Sequence, residues 1–284
     1  MKKFNEYLYK NRLEQINEAL ITFGGQAYPK FGNVIIMAGG AGSGKGFVKS
    51  TLIGAEGYTF DVDELKTLAI RTPAIVKRVK DDLGLDLTDI GSDLGNPDNV
   101  SKLHDIIGDY LNIPDRRTKS LYRSIMLADK NRKPNLIFDV TLKDMRKLQN
   151  ISRNVTQIGY DKSNIHIVWV VNDIEVAKRQ NAMRARSVPA EILINTHRGA
   201  AQTMGDILNM GKDLAKYMDG DIVFAFNKIG VDVELSKSGK GGMVVTDANY
   251  FYVKRKGKSP TSIKDLNADL KRKISSYVPK NIEW

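Results

Sequence analysis

Five mostly apolar runs of four to seven residues recur along the chain. They are residues 33–38, 58–61, 135–140, 165–171 and 221–226. Short continuous apolar runs are typical of strands that are buried on both faces of a sheet. Segments with helical spacing of apolar residues separate these runs. The pattern therefore predicts an α/β fold with a doubly wound, mainly parallel five-stranded sheet.

The segments between and beyond these strands predict how the chain is organised. Residues 2–22 have the apolar spacing of an amphipathic helix, and residues 67–130 form a helical insertion between the second and third strands. We expect a core over residues 1–230 and a basic extension over 231–284, which reads as a small β-hairpin followed by a helix. One face of that last helix is expected to carry Ile263, Leu266, Leu270 and Ile274.

A glycine-rich loop follows the first predicted strand. The run Gly39-Gly40-Ala41-Gly42-Ser43-Gly44-Lys45 fits the pattern G-x-x-x-x-G-K, and a helix is expected from about Gly44. Small residues let successive backbone N–H groups converge on phosphate oxygens, and the lysine reaches the β- and γ-phosphates. The loop, including Gly46, therefore predicts an ATP site.

Gly46 stands where a Ser or Thr usually helps to hold magnesium. The loop resembles the G-x-x-G-x-G-K-G form of adenylate kinases, and this resemblance implies a P-loop fold in which Mg²⁺ is held largely through water and substrate phosphates. Mg²⁺ retains waters readily, so Gly46 does not exclude it. Asp63 and Asp139 are the candidate metal ligands.

Two carboxylates follow the second predicted strand in "FDVDELK". A carboxylate here can accept the proton of an attacking hydroxyl, or an Asp can cap the helix that begins near Glu64. The segment resembles the zeta-toxin and polynucleotide-kinase group of P-loop kinases. The resemblance implies that Asp63 is the catalytic base and that Lys66 binds substrate.

A second segment, "AKRQNAMRARSVPAEIL", resembles the lid of the same kinases. The resemblance implies that Arg179, Arg184 and Arg186 clamp the transferring phosphate, although a basic solvated helix has the same pattern. Asp139 and Thr141, at the end of the third strand, are candidates to meet metal or substrate. A strand end capped by polar residues is the alternative.

The charge of the chain suggests an anionic partner. The formal net charge is +11, and the residues from Tyr250 onward carry nine Lys or Arg against three Asp or Glu. In "NYFYVKRKGK" aromatic and basic residues are interleaved, which suits base stacking and phosphate contact, and equally a plain hairpin. The chain has no cysteine, so disulfides and cysteine nucleophiles are excluded.

The sequence thus predicts an ATP-dependent phosphotransferase with ATP and Mg²⁺ as cofactors. The expected acceptor is a hydroxyl of nucleic acid, either a sugar end or a hydroxymethylated base. The basic balance of the chain favours this acceptor, and the plan resembles phage-encoded P-loop DNA kinases that act on hydroxymethylated bases. A zeta-toxin-like kinase of UDP-N-acetylglucosamine and a nucleotide-binding regulatory module remain open. With no signal peptide or membrane span in the pattern, we expect a cytoplasmic protein, acting in the host cytoplasm if viral. The oligomeric state is left open.

Overall fold

The computed structural model describes residues 20–184, 187–237, 243–280 and 282. The helix predicted over residues 2–22 lies outside this part apart from its last three residues, which are not helical.

All five predicted strands are confirmed, and a sixth joins them. Within the described residues the main sheet has the order β2-β3-β1-β4-β5-β8, in which the first five are parallel and β8 pairs antiparallel with β5. The prediction of five strands was therefore one short. The strands are β1 Val34–Ala38, β2 Gly57–Phe60, β3 Asn135–Asp139, β4 Ile165–Val171, β5 Ile222–Phe226, β6 Val233–Lys237, β7 Met243–Ala248 and β8 Tyr250–Lys254.

The two faces of the sheet pack into separate hydrophobic clusters. Along β1, Val34, Ile36 and Ala38 belong to the larger cluster, whereas Ile35 and Met37 belong to the smaller one on the opposite face. Successive side chains of a strand point to opposite faces, so a strand that is apolar throughout must be covered on both sides. The predicted doubly wound α/β fold is confirmed.

Many of the helices begin at residues suited to helix starts. The side chains of Asp or Asn cap six of the helices in the described chain: Asp61, Asp86, Asn96, Asp144, Asp173 and Asn267. Such a cap satisfies a backbone N–H that has no partner inside the helix. The helices are α1 Lys45–Thr51, α2 Val62–Ile70, α3 Pro73–Leu83, α4 Leu87–Ser92, α5 Pro97–His104, α6 Ile113–Met126, α7 Met145–Gln157, α8 Ile174–Ala182, α9 Ala190–Asn209 and α10 Ala268–Tyr277, with a π-helical turn at Asp105–Tyr110.

The predicted helical insertion has its own small core. Helices α2 to α5 and the π-helical turn bury a third cluster that includes Val79, Leu87, Leu103 and Ile107. This cluster is separate from the two that cover the sheet. The insertion therefore packs around a core of its own beside the sheet.

The C-terminal extension departs from its prediction in two places. Strands β6 and β7 form the expected hairpin, but β8 leaves it to pair with β5 of the core. Helix α10 begins at Ala268, so Ile263 and Leu266 precede it. Both residues still pack against the larger cluster, together with Leu270 and Ile274. The division at residue 230 stays a prediction. Strand β8, which lies in the extension, pairs with β5 of the core sheet.

Candidate active site

The glycine loop lies at the carboxyl end of β1, between two neighbouring strand ends. Gly39, Gly42 and Gly44 have φ angles of 145°, 72° and 88°, which side chains rarely tolerate. The amide of Gly39 donates to Thr141 O at 3.3 Å, and Ser43 N donates to Gly40 O at 3.2 Å. The loop therefore wraps tightly before α1 begins at Lys45, as the sequence predicted.

Lys45 lies folded over the loop that precedes it. Its ammonium group donates to Gly39 O at 2.9 Å and to Gly40 O at 3.3 Å. It also lies 3.7 Å from Asp139 Oδ1, and both side chains are largely buried. These contacts place one positive charge at the mouth of the loop, where a phosphate group would need it.

The second half of the loop is held by Asn227, which follows β5. Its Nδ2 donates to Ser43 O at 2.9 Å, and a side chain at Gly44 would collide with the same group. In the described residues, Asn227 Oδ1 and Ser43 Oγ are buried without a hydrogen-bond partner. Asn227 was not among the residues predicted from the sequence, although a polar residue directly after a buried strand is an available signal.

Gly46 has room for the hydroxyl that the loop lacks. A Cβ at this position would meet nothing within 4 Å. We expect Gly46→Ser to leave the free energy of unfolding unchanged or raise it by about 0.5 kcal/mol, because serine favours a helix more than glycine does. Urea unfolding would measure the change.

Gly44→Ser is the matched control for that substitution. Its φ of 88° and the collision with Asn227 should lower stability by about 2 kcal/mol or more. Equal effects of the two serines would contradict this account of the loop.

Asp139 ends β3 beside the loop, and its neighbours shift its pKa in opposite directions. Burial raises its pKa above the ordinary value, and the nearby carboxylates of Asp61 and Asp63 act in the same direction. Lys45 and Lys49 oppose this shift. The structure thus brings both predicted metal candidates, Asp63 and Asp139, to one edge of the sheet together with Asp61.

Asp61 and Asp63 occupy different environments after β2. Asp61 is the capping residue, and its Oδ1 accepts the amide N–H of Asp63 at 2.8 Å. Asp63 lies within the first turn of α2 with a side chain that is 57% exposed, and its Oδ1 accepts from the buried Lys66 ammonium at 3.2 Å. The sequence predicted a helix that begins near Glu64 with an Asp cap. The helix begins two residues earlier, at Val62, and Asp61 caps it.

A cavity of about 310 Å³ opens between α2, α6, α7 and the ends of β2 and β3. Phe60 and Phe138 stack in its wall with ring centroids 4.4 Å apart, and Tyr122 lies beside Phe60. Neither Asp63 nor Lys66 belongs to the lining. The charged residues that do are Asp61, Glu64, Asp115, Asp139, Arg117, Lys147 and Arg153.

The predicted lid arginines lie on and after α8. Arg179 is exposed in the last turn of the helix, and Arg184 is exposed just beyond it. Arg186 lies outside the described residues. Beyond that gap, Ser187 N donates to Leu94 O and its Oγ donates to Gly95 O, which joins the lid segment to the helical insertion.

Two residues of α9 that the sequence reasoning missed contact the loop directly. Thr196 Oγ1 accepts from Ala41 N at 3.1 Å, and His197 Nε2 lies 2.8 Å from Ala41 O, to which it donates. They lie about 155 residues from the loop in sequence, and no local motif marks them.

Burial lowers the pKa of His197 to about 4 from an ordinary value of 6.5, and Lys45 adds to the shift against the hydrogen bond to Ala41. Between these values the unfolded chain binds a proton that the folded chain does not. The contribution of His197 to the free energy of unfolding is therefore complete above pH 6.5. It falls as the pH drops toward 4, by up to about 3 kcal/mol.

Urea unfolding at pH 7 and pH 4.5 would measure the effect. His197→Gln should remove this part of the pH dependence, while His166, whose pKa burial also lowers, contributes equally to both proteins. Equal pH dependence in the two proteins would contradict the prediction.

In the part of the chain that the structure describes, no helix is long and apolar enough to cross a membrane.

No protein-family model matches the chain, and no curated protein sequence matches it. Among solved structures, the PezAT toxin–antitoxin system of Streptococcus pneumoniae is similar at 15% identity and a TM-score of 0.42, over 78% of this chain and 76% of that one. AvrRxo1-ORF1:ORF2 with ATP is similar at 11% identity and a TM-score of 0.47, over 99% and 75%. The same complex with sulphate ions gives 12% identity and a TM-score of 0.46, over 98% and 75%. These similarities are weak, and the fold assignment rests on the strand order and the glycine loop.

Proposed function

We propose that this chain is an ATP-dependent phosphotransferase that moves the γ-phosphate to an alcohol. The observation that carries the proposal is the contact between loop and cavity: Lys45 lies 3.7 Å from Asp139, and Asp139 lines the cavity. A phosphate donor on the loop and an acceptor in the cavity would meet at the carboxyl edge of the sheet. This edge is where ligands of open α/β sheets bind.

The donor side uses the loop over residues 39–46. Its backbone N–H groups and the start of α1 would receive the phosphates, and Lys45 would exchange its carbonyl partners for the β- and γ-phosphate oxygens. Phosphoryl transfer mainly requires positioning and charge stabilisation, which such a loop supplies.

The carboxylates at this edge fit Mg²⁺ as an ion that shares its ligands with water and phosphate. The described chain holds no group of three or more His, Asp or Glu placed to bind a metal. Asp139 and Asp63 would hold the ion, partly through water, since Mg²⁺ favours oxygen ligands and retains waters. Bound with the triphosphate, it would neutralise charge on the β- and γ-phosphates.

The acceptor side uses a carboxylate and the lid. Asp63 is the proposed base, which takes the proton of the attacking hydroxyl as its oxygen bonds to the γ-phosphorus. Arg179, Arg184 and Arg186 are the proposed clamp on the transferring phosphate. Lys66 and Thr141 are proposed to help position the acceptor, Lys66 through its contact with Asp63.

The cavity is lined by four carboxylates and three basic side chains, so it suits a small acceptor that carries hydroxyl groups and directs any anionic group toward the basic side chains. Its volume suits a small molecule, and it has an aromatic wall. Arg117 on α6, with Lys147 and Arg153 on α7, could pair with phosphate or carboxylate groups. A nucleotide sugar such as UDP-N-acetylglucosamine fits this description.

A nucleic-acid acceptor has less support from the basic C-terminal segment than its sequence suggested. The hydroxyls of Tyr250 and Tyr252 bond to Leu20 and Thr22, so these rings serve the fold. Lys254 is buried on Asp219, and the Arg255 guanidinium covers the Tyr252 ring at 3.3 Å. Nucleic acid therefore remains the second candidate, on the strength of the net charge of +11.

Transfer from γ-labelled ATP with Mg²⁺ to a panel of acceptors tests the proposal. The panel contains UDP-N-acetylglucosamine, nucleosides, 5′-hydroxyl DNA and RNA, and hydroxymethyluracil DNA. Label in a small molecule supports the cavity as the acceptor site, and label in nucleic acid favours the second candidate. If ATP binds while no acceptor of any class is labelled, a regulatory nucleotide-binding module becomes the better-supported hypothesis.

The cellular setting is part of the same proposal. A kinase that draws on ATP suits the cytoplasm. Phage origin and action in a host cytoplasm stay predictions from the sequence resemblance.

A further inference from the structure

Two consecutive side chains of α9 bond to both backbone polar groups of one residue of the glycine loop, Ala41. Thr196 Oγ1 accepts the amide N–H of Ala41 at 3.1 Å and donates its own proton to Leu193 O at 2.8 Å. His197 Nε2 donates to the carbonyl oxygen of Ala41 at 2.8 Å. Both polar groups of Ala41 are therefore occupied by one turn of a distant helix.

The loop is shaped to receive these side chains. A Cβ at Gly40 would overlap the imidazole ring of His197, so a glycine is required for the ring to reach Ala41. Thr196 and His197 are each at least nine-tenths buried. Both hydrogen bonds are partly buried, because Ala41 itself is half-buried, and an N–H left without a partner there costs free energy.

Other parts of the loop have their own supports. Lys45 bonds to the carbonyls of Gly39 and Gly40, and Asn227 bonds to the carbonyl of Ser43. Phosphate binding would draw the Lys45 ammonium away from these carbonyls. The hold on Ala41 does not depend on Lys45, so it persists when the lysine turns to a ligand.

The position of α9 itself does not require this pair. Ala201, Met204, Ile207 and Leu208, all in the C-terminal half of the helix, are packed in the larger cluster of the sheet. The hydrogen bonds from Thr196 and His197 to Ala41 are instead directed at the loop.

We propose that Thr196 and His197 are positioning residues that fix the glycine loop in its phosphate-receiving conformation before a nucleotide arrives. The inference rests on the proposed nucleotide site. A loop that is ordered in advance binds more tightly, because little conformational entropy is lost on binding. The role differs from catalysis, since neither side chain needs to touch the phosphates.

Thr196→Val is the first test, because valine keeps the shape and removes the oxygen that Ala41 N–H needs. We expect the Kd for ATP, measured by calorimetry, to rise about tenfold. Amide hydrogen exchange over residues 39–45 should quicken, while exchange in β1, β3 and β4 and the Tm stay close to those of the unchanged protein. Thr196→Ser, which keeps the oxygen, should restore both the affinity and the slow exchange.

Thr203→Val is the matched control, since it removes a buried hydroxyl two turns further along α9. It should leave ATP affinity and loop exchange unchanged. His197→Gln, whose amide N–H can still donate to Ala41 O, should retain more affinity than His197→Leu.

Three results would overturn the inference. They are an unchanged or tighter Kd in Thr196→Val, quickened exchange throughout the sheet in that variant, and equal losses in Thr196→Val and Thr203→Val. If the unchanged protein binds no ATP, the proposed function fails instead. The exchange measurement on the loop then still decides whether Thr196 holds it.

Discussion

Replacing Lys45 with methionine will lower phosphoryl transfer by about a thousandfold or more. Methionine keeps the length of the side chain and removes the ammonium group that lies at the mouth of the loop. The loss should be greatest in kcat, because the charge that Lys45 neutralises grows as the phosphate moves. ATP affinity should weaken less, since the loop amides remain.

The fold should survive this substitution. Asp139 loses the cation 3.7 Å away, so its pKa should rise further above the ordinary value than burial already places it. A neutral Asp139 is tolerated in a largely buried position. A Tm close to that of the unchanged protein would show that the loss of transfer is not a loss of structure.

Lys49→Met is the matched control for Lys45→Met. Lys49 lies one turn further along α1 and also lowers the pKa of Asp139, but no hydrogen bond joins it to the loop in the described residues. It should retain transfer within a few-fold. Near-normal transfer by Lys45→Met, or equal losses in the two variants, would contradict the role given to the loop lysine.

The central sheet could be predicted from sequence because its strands are apolar throughout. Residues 165–171 show the reason: β4 is buried along its whole length, so each of its positions carries the same signal. Strand β8 alternates between faces and reads equally well as part of a hairpin. Only its distant partner β5, paired through Val223 and Tyr252 among others, decides which arrangement forms.

The glycine loop was predictable for a different reason. Its chemistry depends on residue types at a fixed spacing, so Lys45 and the glycines identify it without knowledge of the rest of the fold. The residues that hold the loop come from elsewhere in the chain: Thr196 and His197 from α9, and Asn227 from the end of β5. A contact between distant segments leaves no spacing pattern to read.

In the C-terminal segment the sequence pattern suggested a binding role for side chains that the structure shows in contacts within the protein. Interleaved aromatic and basic residues suit nucleic acid. However, the Tyr252 hydroxyl donates a hydrogen bond to Thr22 O, and Lys254 forms an ion pair with Asp219. Charge counted along a sequence does not distinguish a buried ion pair from an exposed one. The structure therefore moves the search for an acceptor to the cavity beside β2 and β3.

Asp63→Asn will reduce transfer by about a thousandfold while leaving ATP binding nearly intact, if Asp63 takes the proton of the acceptor. The substitution keeps the size of the side chain and the capping bond that its own amide makes to Asp61. Transfer from labelled ATP and calorimetric ATP affinity would be measured on the same preparation. Equal loss of both would contradict the assignment of Asp63 as base.

Asp61→Asn is the matched control for Asp63→Asn. Asparagine caps a helix about as well as aspartate, so α2 should keep its start while the negative charge is lost. Asp61 lines the cavity and Asp63 does not, although Asp63 is the more exposed and lies beside Lys66. We expect Asp61→Asn to lower transfer by no more than about tenfold, as the loss of a supporting charge would. The reverse order, with the larger loss at Asp61, would move the base to the carboxylate at the strand end, which lines the cavity.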